Sequence, residues 1–213
     1  MRILSWNLLK RRGATAEDIR RLVEALRPDL VLMQEVTARI DGLPEMLGGH
    51  YIRKPMPDIR GGMPGRDHGL AAWSARPFTM TTLALPVATR LDLPAGVFRV
   101  LAPRHTLIVG QDGIEVATVH LDHGQFANRR QLRHVFENRP GLNVVIGDFN
   151  WLGASRLPGF VDAGPRAATH RAYGLVGLRI DRCLVRGLRV VDAQALPQGA
   201  SDHRPILVEV VRD

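Results

Sequence analysis

The chain has 213 residues, 45% of them hydrophobic and 23% charged, with a formal charge of +8. That is an ordinary globular composition, long enough for one full core, and the expectation is a single domain over residues 1–213. No apolar run approaches the roughly 20 residues that cross a bilayer, and the lone Cys183 excludes an internal disulfide, so membrane-spanning and disulfide-stapled classes are set aside.

At the amino terminus, Arg2 to Leu8 reads as a strand, and Lys10-Arg11-Arg12 follows the apolar residues instead of preceding them, which is the wrong order for a signal peptide. A cytoplasmic protein is expected. Thr15, with Asp18 three residues on, marks a helix start, and Ile19, Leu22, Val23 and Leu26 recur at helical spacing until Arg27-Pro28. Leu30 to Gln34 is apolar enough for a strand covered on both faces, and a shorter helix is expected over Ala38 to Leu47. Pro55 to Gly69 has no periodicity and reads as a long loop.

Strands are expected at Leu70 to Ser74, Phe78 to Leu85, Gly96 to Leu101, Thr106 to Val109 and Glu115 to His120. A helix over Gln125 to Asn138 turns Phe126, Leu132, Val135 and Phe136 to one side and Arg129, Arg130, Arg133 and His134 to the other. The strand Asn143 to Ile146 follows, then an irregular stretch from Leu152 to Gly177. Strands near Leu178 to Val185, Leu188 to Asp192 and Pro205 to Val211 close the chain, and Cys183 reads as a packed thiol.

Several apolar runs stop at residues that bind hard cations or handle protons. Leu30 to Met33 ends at Gln34-Glu35, Leu142 to Ile146 ends at Gly147-Asp148-Phe149-Asn150, and Ser201-Asp202-His203-Arg204-Pro205 precedes the last strand. With Ser5-Trp6-Asn7, Thr118-Val119-His120-Leu121 and Arg179-Ile180-Asp181-Arg182, six motifs stand in a fixed order along nearly the whole chain. That order resembles the endonuclease/exonuclease/phosphatase superfamily. Periodicity alone supports a mixed α and β protein; the resemblance implies a four-layer α/β/β/α sandwich, in which two mixed sheets face each other beneath outer helices.

The resemblance also implies metal-dependent hydrolysis of a phosphoester. Glu35 would be the main ligand of Mg2+ or Mn2+, which prefer oxygen donors, with Asn7 supporting that site and Asp202 within reach of it. Asp148 would orient or deprotonate the attacking water, Asn150 would hold water or phosphate, and His120 would contact phosphate or protonate the leaving group. His203, oriented by Asp181, would meet the scissile phosphate as a cation. Asp122, His123 and Arg182 are given no catalytic role.

Nearly all the basic residues are arginines, since Lys10 and Lys54 are the only lysines. Arginine suits phosphate contacts, and Arg60, Arg66, Arg76 and Arg156 in or near the irregular stretches are candidates to grip substrate. The surplus of positive charge favours a polyanion, so a DNA nuclease is expected, with a small or lipid head-group phosphate as the alternative substrate and a silent binding module as a weaker one. A monomer with no obligate protein partner and no membrane contact is expected.

Overall fold

The computed structural model describes residues 1–10, 12–56, 68–88, 103–154, 157–172 and 175–212. Alternation decides which way each strand faces. In β1 (Arg2–Asn7), Leu4 and Trp6 face one side and Ile3 the other; in β2 (Leu30–Val36), Val31 and Met33 oppose Leu30 and Leu32. Both faces are therefore covered, as a strand apolar throughout requires.

The first side packs under α1 (Ala16–Leu26) and α2 (Leu43–Leu47). Thr15 accepts from the Asp18 backbone N–H while the Asp18 side chain accepts from Thr15, the capping box that the sequence spelled out. The helix expected over Ala38 to Leu47 is broken into a 3-10 turn, Ala38–Ile40, and the short α2, because Gly42 and Pro44 restart it.

Two six-stranded sheets result. The first has the order β13-β14-β1-β2-β4-β3, with β3 His50–Pro55, β4 Gly69–Ser74, β13 Arg189–Ala195 and β14 Ile206–Val211. The second runs β5-β6-β7-β8-β12-β9, with β5 Thr79–Leu85, β6 Arg104–Gln111, β7 Ile114–His120, β8 Val144–Asp148, β9 Val161–Asp162 and β12 Asp181–Val185. Ile3, Leu32, Ile206 and Val208 of one sheet meet Leu107, Val116, Val144 and Ile146 of the other in the central core. On the outer face of the second sheet, α3 (Gln125–Asn138) buries Leu132 and Val135 against Val119 and Val145. This is the expected four-layer sandwich.

Each sheet holds one parallel pair, β1 with β2 and β7 with β8, joined by α1 and α3 respectively. A parallel pair needs such a crossover, and it leaves both strands ending at the same rim. Asn7, Glu35, His120 and Asp148 stand at or beside those four carboxyl ends, where open sheets place their chemistry.

Several expectations need correction. The stretch Leu152 to Gly177 holds β9 and a two-stranded unit made of β10 (His170–Ala172) and β11 (Val176–Leu178), and the strand expected from Leu178 to Val185 is interrupted before β12. The strand β3 was not foreseen. Phe126 is 71% exposed at the start of α3 instead of packing with Leu132. The strand expected at Gly96 to Leu101 lies outside the described residues.

Gly147 holds β8 against its neighbour at φ 136°, and a Cβ there would stand 2.2 Å from the Val119 carbonyl oxygen. Only glycine adopts that backbone without strain. Gly147→Ala is expected to destabilise the fold by about 3 kcal/mol, read as a lower midpoint in chemical denaturation; an unchanged midpoint would show that β8 can relax.

Candidate active site

The parity that buries Ile3, Ile146 and Cys183 between the sheets carries Asn7, Asp148 and Asp181 to the end of the same layer. His120, Asp148 and Asp181 form one row across β7, β8 and β12. Facing them, His203 is brought in by the loop before β14, where Ser201 Oγ donates to the Asn7 carbonyl and accepts from the His203 N–H. Trp6 Nε1 donates to the His203 carbonyl at 2.9 Å. The first motif is thus explained residue by residue: Ser5 meets Gln34, Trp6 fixes the His203 backbone, and Asn7 meets Asp148.

Asp148 Oδ2 is the hub. It accepts from Asn7 Nδ2 at 3.1 Å and lies 3.6 Å from His120 Nε2 and 3.8 Å from His203 Nε2, while Oδ1 accepts from the Asn150 N–H at 2.9 Å. His203 Nδ1 sits 2.8 Å from Asp181 Oδ2. All of these side chains are nearly buried, and all but Asp181, which stands behind His203, line a cavity of about 290 Å3 together with Glu35, Gln125, Leu152, His170, Leu178 and Asp202.

Two site residues adopt left-handed backbone, Glu35 at φ 55° and Asn150 at φ 48°. Strain of this kind persists only where neighbours enforce it. At Glu35 the pairing of β2 with β4 shifts register between Met33 and Val36, which breaks an alternation that would have sent Glu35 toward the helices with Val31 and Met33. Its carboxylate instead reaches the cavity, with Oε2 accepting from the Lys10 N–H at 3.1 Å and Oε1 3.9 Å from His120 Nε2. At Asn150, the backbone carbonyl accepts from Gln125 Nε2 and Asn128 Nδ2, and the side-chain Nδ2 donates to the Leu121 carbonyl.

The charges are set by burial and by one another. Burial pulls the His203 imidazole down, but the carboxylates of Asp181 and Asp148 outweigh it and raise the group to about 10, so the ring is cationic at neutral pH. Asp148 is pushed up to about 6, mainly by burial and also by Asp181, against the opposing pull of His203. His120 is held well below its ordinary value by burial and by the nearby Arg104, and it stays neutral. Arg104 donates to the His120 carbonyl at 2.9 Å. Burial likewise raises the Cys183 thiol, which remains a packed, protonated core group.

Every candidate except the arginines comes together here. Arg76 does not: it ion-pairs with Asp29 and Asp112 at the opposite rim, before β2 and in the β6–β7 turn, and so ties the sheets together far from the cavity. Arg60, Arg66 and Arg156 lie outside the described residues. Asp202 sits on the His203 side of the cavity, 3.5 Å from His170, and that contact lowers its carboxyl below the usual range despite partial burial. Sequence reasoning missed His170, Gln125, Asn128 and Thr169, whose Oγ1 accepts from the Asp181 N–H.

For a divalent cation, the residues fit. Glu35 is turned into the cavity at the cost of backbone strain and Asn7 adds a second oxygen donor, the hard kind that magnesium or manganese takes, whereas Asp202 stands with His170 and His203.

Two facing mixed sheets that close over paired carboxylates, two histidines and two asparagines at one rim define a hydrolase sandwich. Over residues 4–203 the sequence matches the Endonuclease/Exonuclease/phosphatase family, and the chain belongs to it. Members of this family hydrolyse phosphoesters and generally use a divalent metal. An endonuclease/exonuclease/phosphatase from Beutenbergia cavernae is 19% identical with a TM-score of 0.72, covering 99% of this chain and 71% of that one. The human Nocturnin catalytic domain with bound sulfate anion is 18% identical with a TM-score of 0.62, covering 99% and 93%. A UPF0294 protein of Vibrio vulnificus is 32% identical over 80 residues, which take in 34% of this chain and only 28% of that relative. Among the described residues no helix is long and apolar enough to cross a membrane.

Proposed function

We propose that this protein is a magnesium-dependent nuclease that cleaves DNA phosphodiesters by in-line attack of water. The observation that carries the hydrolytic reading is the Asp148 hub, a carboxylate between a cationic and a neutral histidine with Glu35 close by. Asp148 aligns the water and takes its proton. His203, held by Asp181, sets its positive charge against a non-bridging phosphate oxygen as charge builds there. His120 serves as a neutral N–H donor to phosphate, since burial keeps it from carrying a proton to the leaving group. Asn7 and Asn150 fix the two oxygens of Asp148. Glu35, with Asn7, would hold a magnesium ion, which when bound would supply charge neutralisation at the phosphate and the departing oxygen.

DNA is favoured as substrate because α3 starts at Gln125 on the cavity rim and carries the exposed Arg129 and Arg133 in its next two turns, on a chain of charge +8. The second reading is a small phosphate ester. The modest volume of the cavity, about 290 Å3, and the position of Arg76 at the far rim favour it.

A substrate panel under magnesium tests both. Plasmid DNA, short oligonucleotides, a phosphoinositide set and small phosphate esters are compared, and turnover of DNA at least about tenfold above the rest is expected. Turnover of small esters alone would replace DNA, and full activity in excess chelator would overturn the metal-dependent reading. Glu35→Gln is expected to raise the magnesium concentration for half-maximal activity by roughly tenfold or more, because one charged oxygen donor is lost. An unchanged magnesium titration would remove Glu35 from the ion.

A further inference from the structure

His170 has no part in the reaction just described, yet it belongs to the best-formed cluster of metal-ligating side chains among the described residues. One ligand atom from each of His170, Asp202 and His203 lies within 4.8 Å of the others. His170 Nε2 is 3.5 Å from Asp202 Oδ2, and the two imidazole rings stand 4.4 Å apart with a 53° tilt. All three residues line the catalytic cavity.

This cluster is built on fixed backbone. His170 and His203 form an antiparallel bridge, flanked by hydrogen bonds from Arg171 N to the Asp202 carbonyl and from Arg204 N to the Thr169 carbonyl. A histidine that ligates a metal usually gives its other ring nitrogen to a carboxylate, and His203 has that arrangement with Asp181 at 2.8 Å, leaving Nε2 toward the cavity. His170 Nδ1 is buried with no hydrogen-bond partner, as are Gln34 Oε1 and Asn128 Oδ1 nearby, so no hydrogen bond at Nδ1 fixes the tautomer of the His170 ring.

The donor chemistry differs from that around Glu35. Two imidazole nitrogens and one carboxylate suit a borderline ion such as zinc, whereas magnesium seeks oxygen. Around tetrahedral zinc the donor atoms stand roughly 3.3 Å apart, so small side-chain rotations would close the set. We propose that His170, Asp202 and His203 form a second cation position selective for zinc-like ions, and that filling it inhibits hydrolysis. Zinc displaces the proton from His203 Nε2 to solvent and occupies the atom that would otherwise face phosphate. The binding half stands on the geometry alone; the inhibitory half rests on the phosphoesterase reading.

The test begins without substrate. Metal-free protein is titrated with cobalt(II), followed by visible absorption, and then with zinc and magnesium as competitors. A single equivalent with nitrogen-type cobalt bands is expected, displaced by zinc and left in place by millimolar magnesium. His170→Ala should weaken it by about tenfold or more, while Glu35→Gln should leave it unchanged. Equal affinity in His170→Ala, or displacement by magnesium, overturns the site. Should His170→Ala unfold, His170→Gln and Asp202→Asn carry the same comparison, with circular dichroism as the control on folding.

Inhibition is then read on the magnesium-supported reaction, each protein scaled to its own zinc-free rate. The zinc concentration for half inhibition should rise about tenfold in His170→Ala; zinc that binds without inhibiting overturns the inhibitory role. If no substrate of the panel is turned over, the cobalt titration still decides whether the site exists, so the two proposals fail separately.

Discussion

Asp148→Asn is expected to lower turnover by about 10³-fold or more with little loss of fold stability. Asparagine keeps the size of the side chain and an oxygen for the Asn150 N–H, so the turn after β8 survives. What disappears is the charge that accepts from Asn7 and faces both histidines at 3.6 and 3.8 Å. The variant has no base for the water, and the cation on His203 loses one of the two carboxylates that chiefly sustain it. Because a proton moves and charge develops only in the transition state, the loss should fall on kcat, with KM nearly unchanged. Steady-state kinetics on the preferred substrate, beside a thermal melt, makes the check. A loss under tenfold would mean that another group activates the water.

The site was legible where side-chain chemistry coincides with the end of an apolar run. Glu35, Asp148 and His203 each interrupt or adjoin such a run, and strand parity then delivers Asn7, Asp148 and Asp181 to one layer whatever the loops do. The sandwich itself was legible only through the order of the motifs, because nothing in the periodicity says that two sheets face each other.

What stayed hidden depends on distant contacts. His170 sits in a three-residue strand whose partner is His203, and no local pattern encodes that pairing. The strand β3 carries Arg53, Lys54 and Pro55 on the edge of its sheet, where charges and proline guard against further pairing but erase the strand signal. Phe126 was grouped with the core positions, yet at about 3.6 residues per turn it points away from the stripe of Ala127, Asn128, Gln131, Leu132 and Val135 that α3 buries. Arg76 shows the same limit for charge. An arginine between strands reads alike whether it grips substrate or, as here, two aspartates.

His203→Ala is expected to cost about 10³-fold or more in turnover, Asp181→Asn about 10- to 100-fold, and the double variant little more than His203→Ala alone. Asp181 is held in place by its N–H to Thr169 Oγ1 and by pairing opposite Asp148, so asparagine can keep the position and an oxygen toward His203 Nδ1. It cannot keep the charge. Without it the imidazolium leans on Asp148 and, more weakly, Asp202, so a smaller fraction of the enzyme presents a cation to phosphate. Once the ring is gone, Asp181 has nothing left to orient, and its substitution should be almost silent. Losses that multiply in the double variant, with all proteins folded, would show that Asp181 acts on the reaction independently of His203, despite the 2.8 Å contact between them.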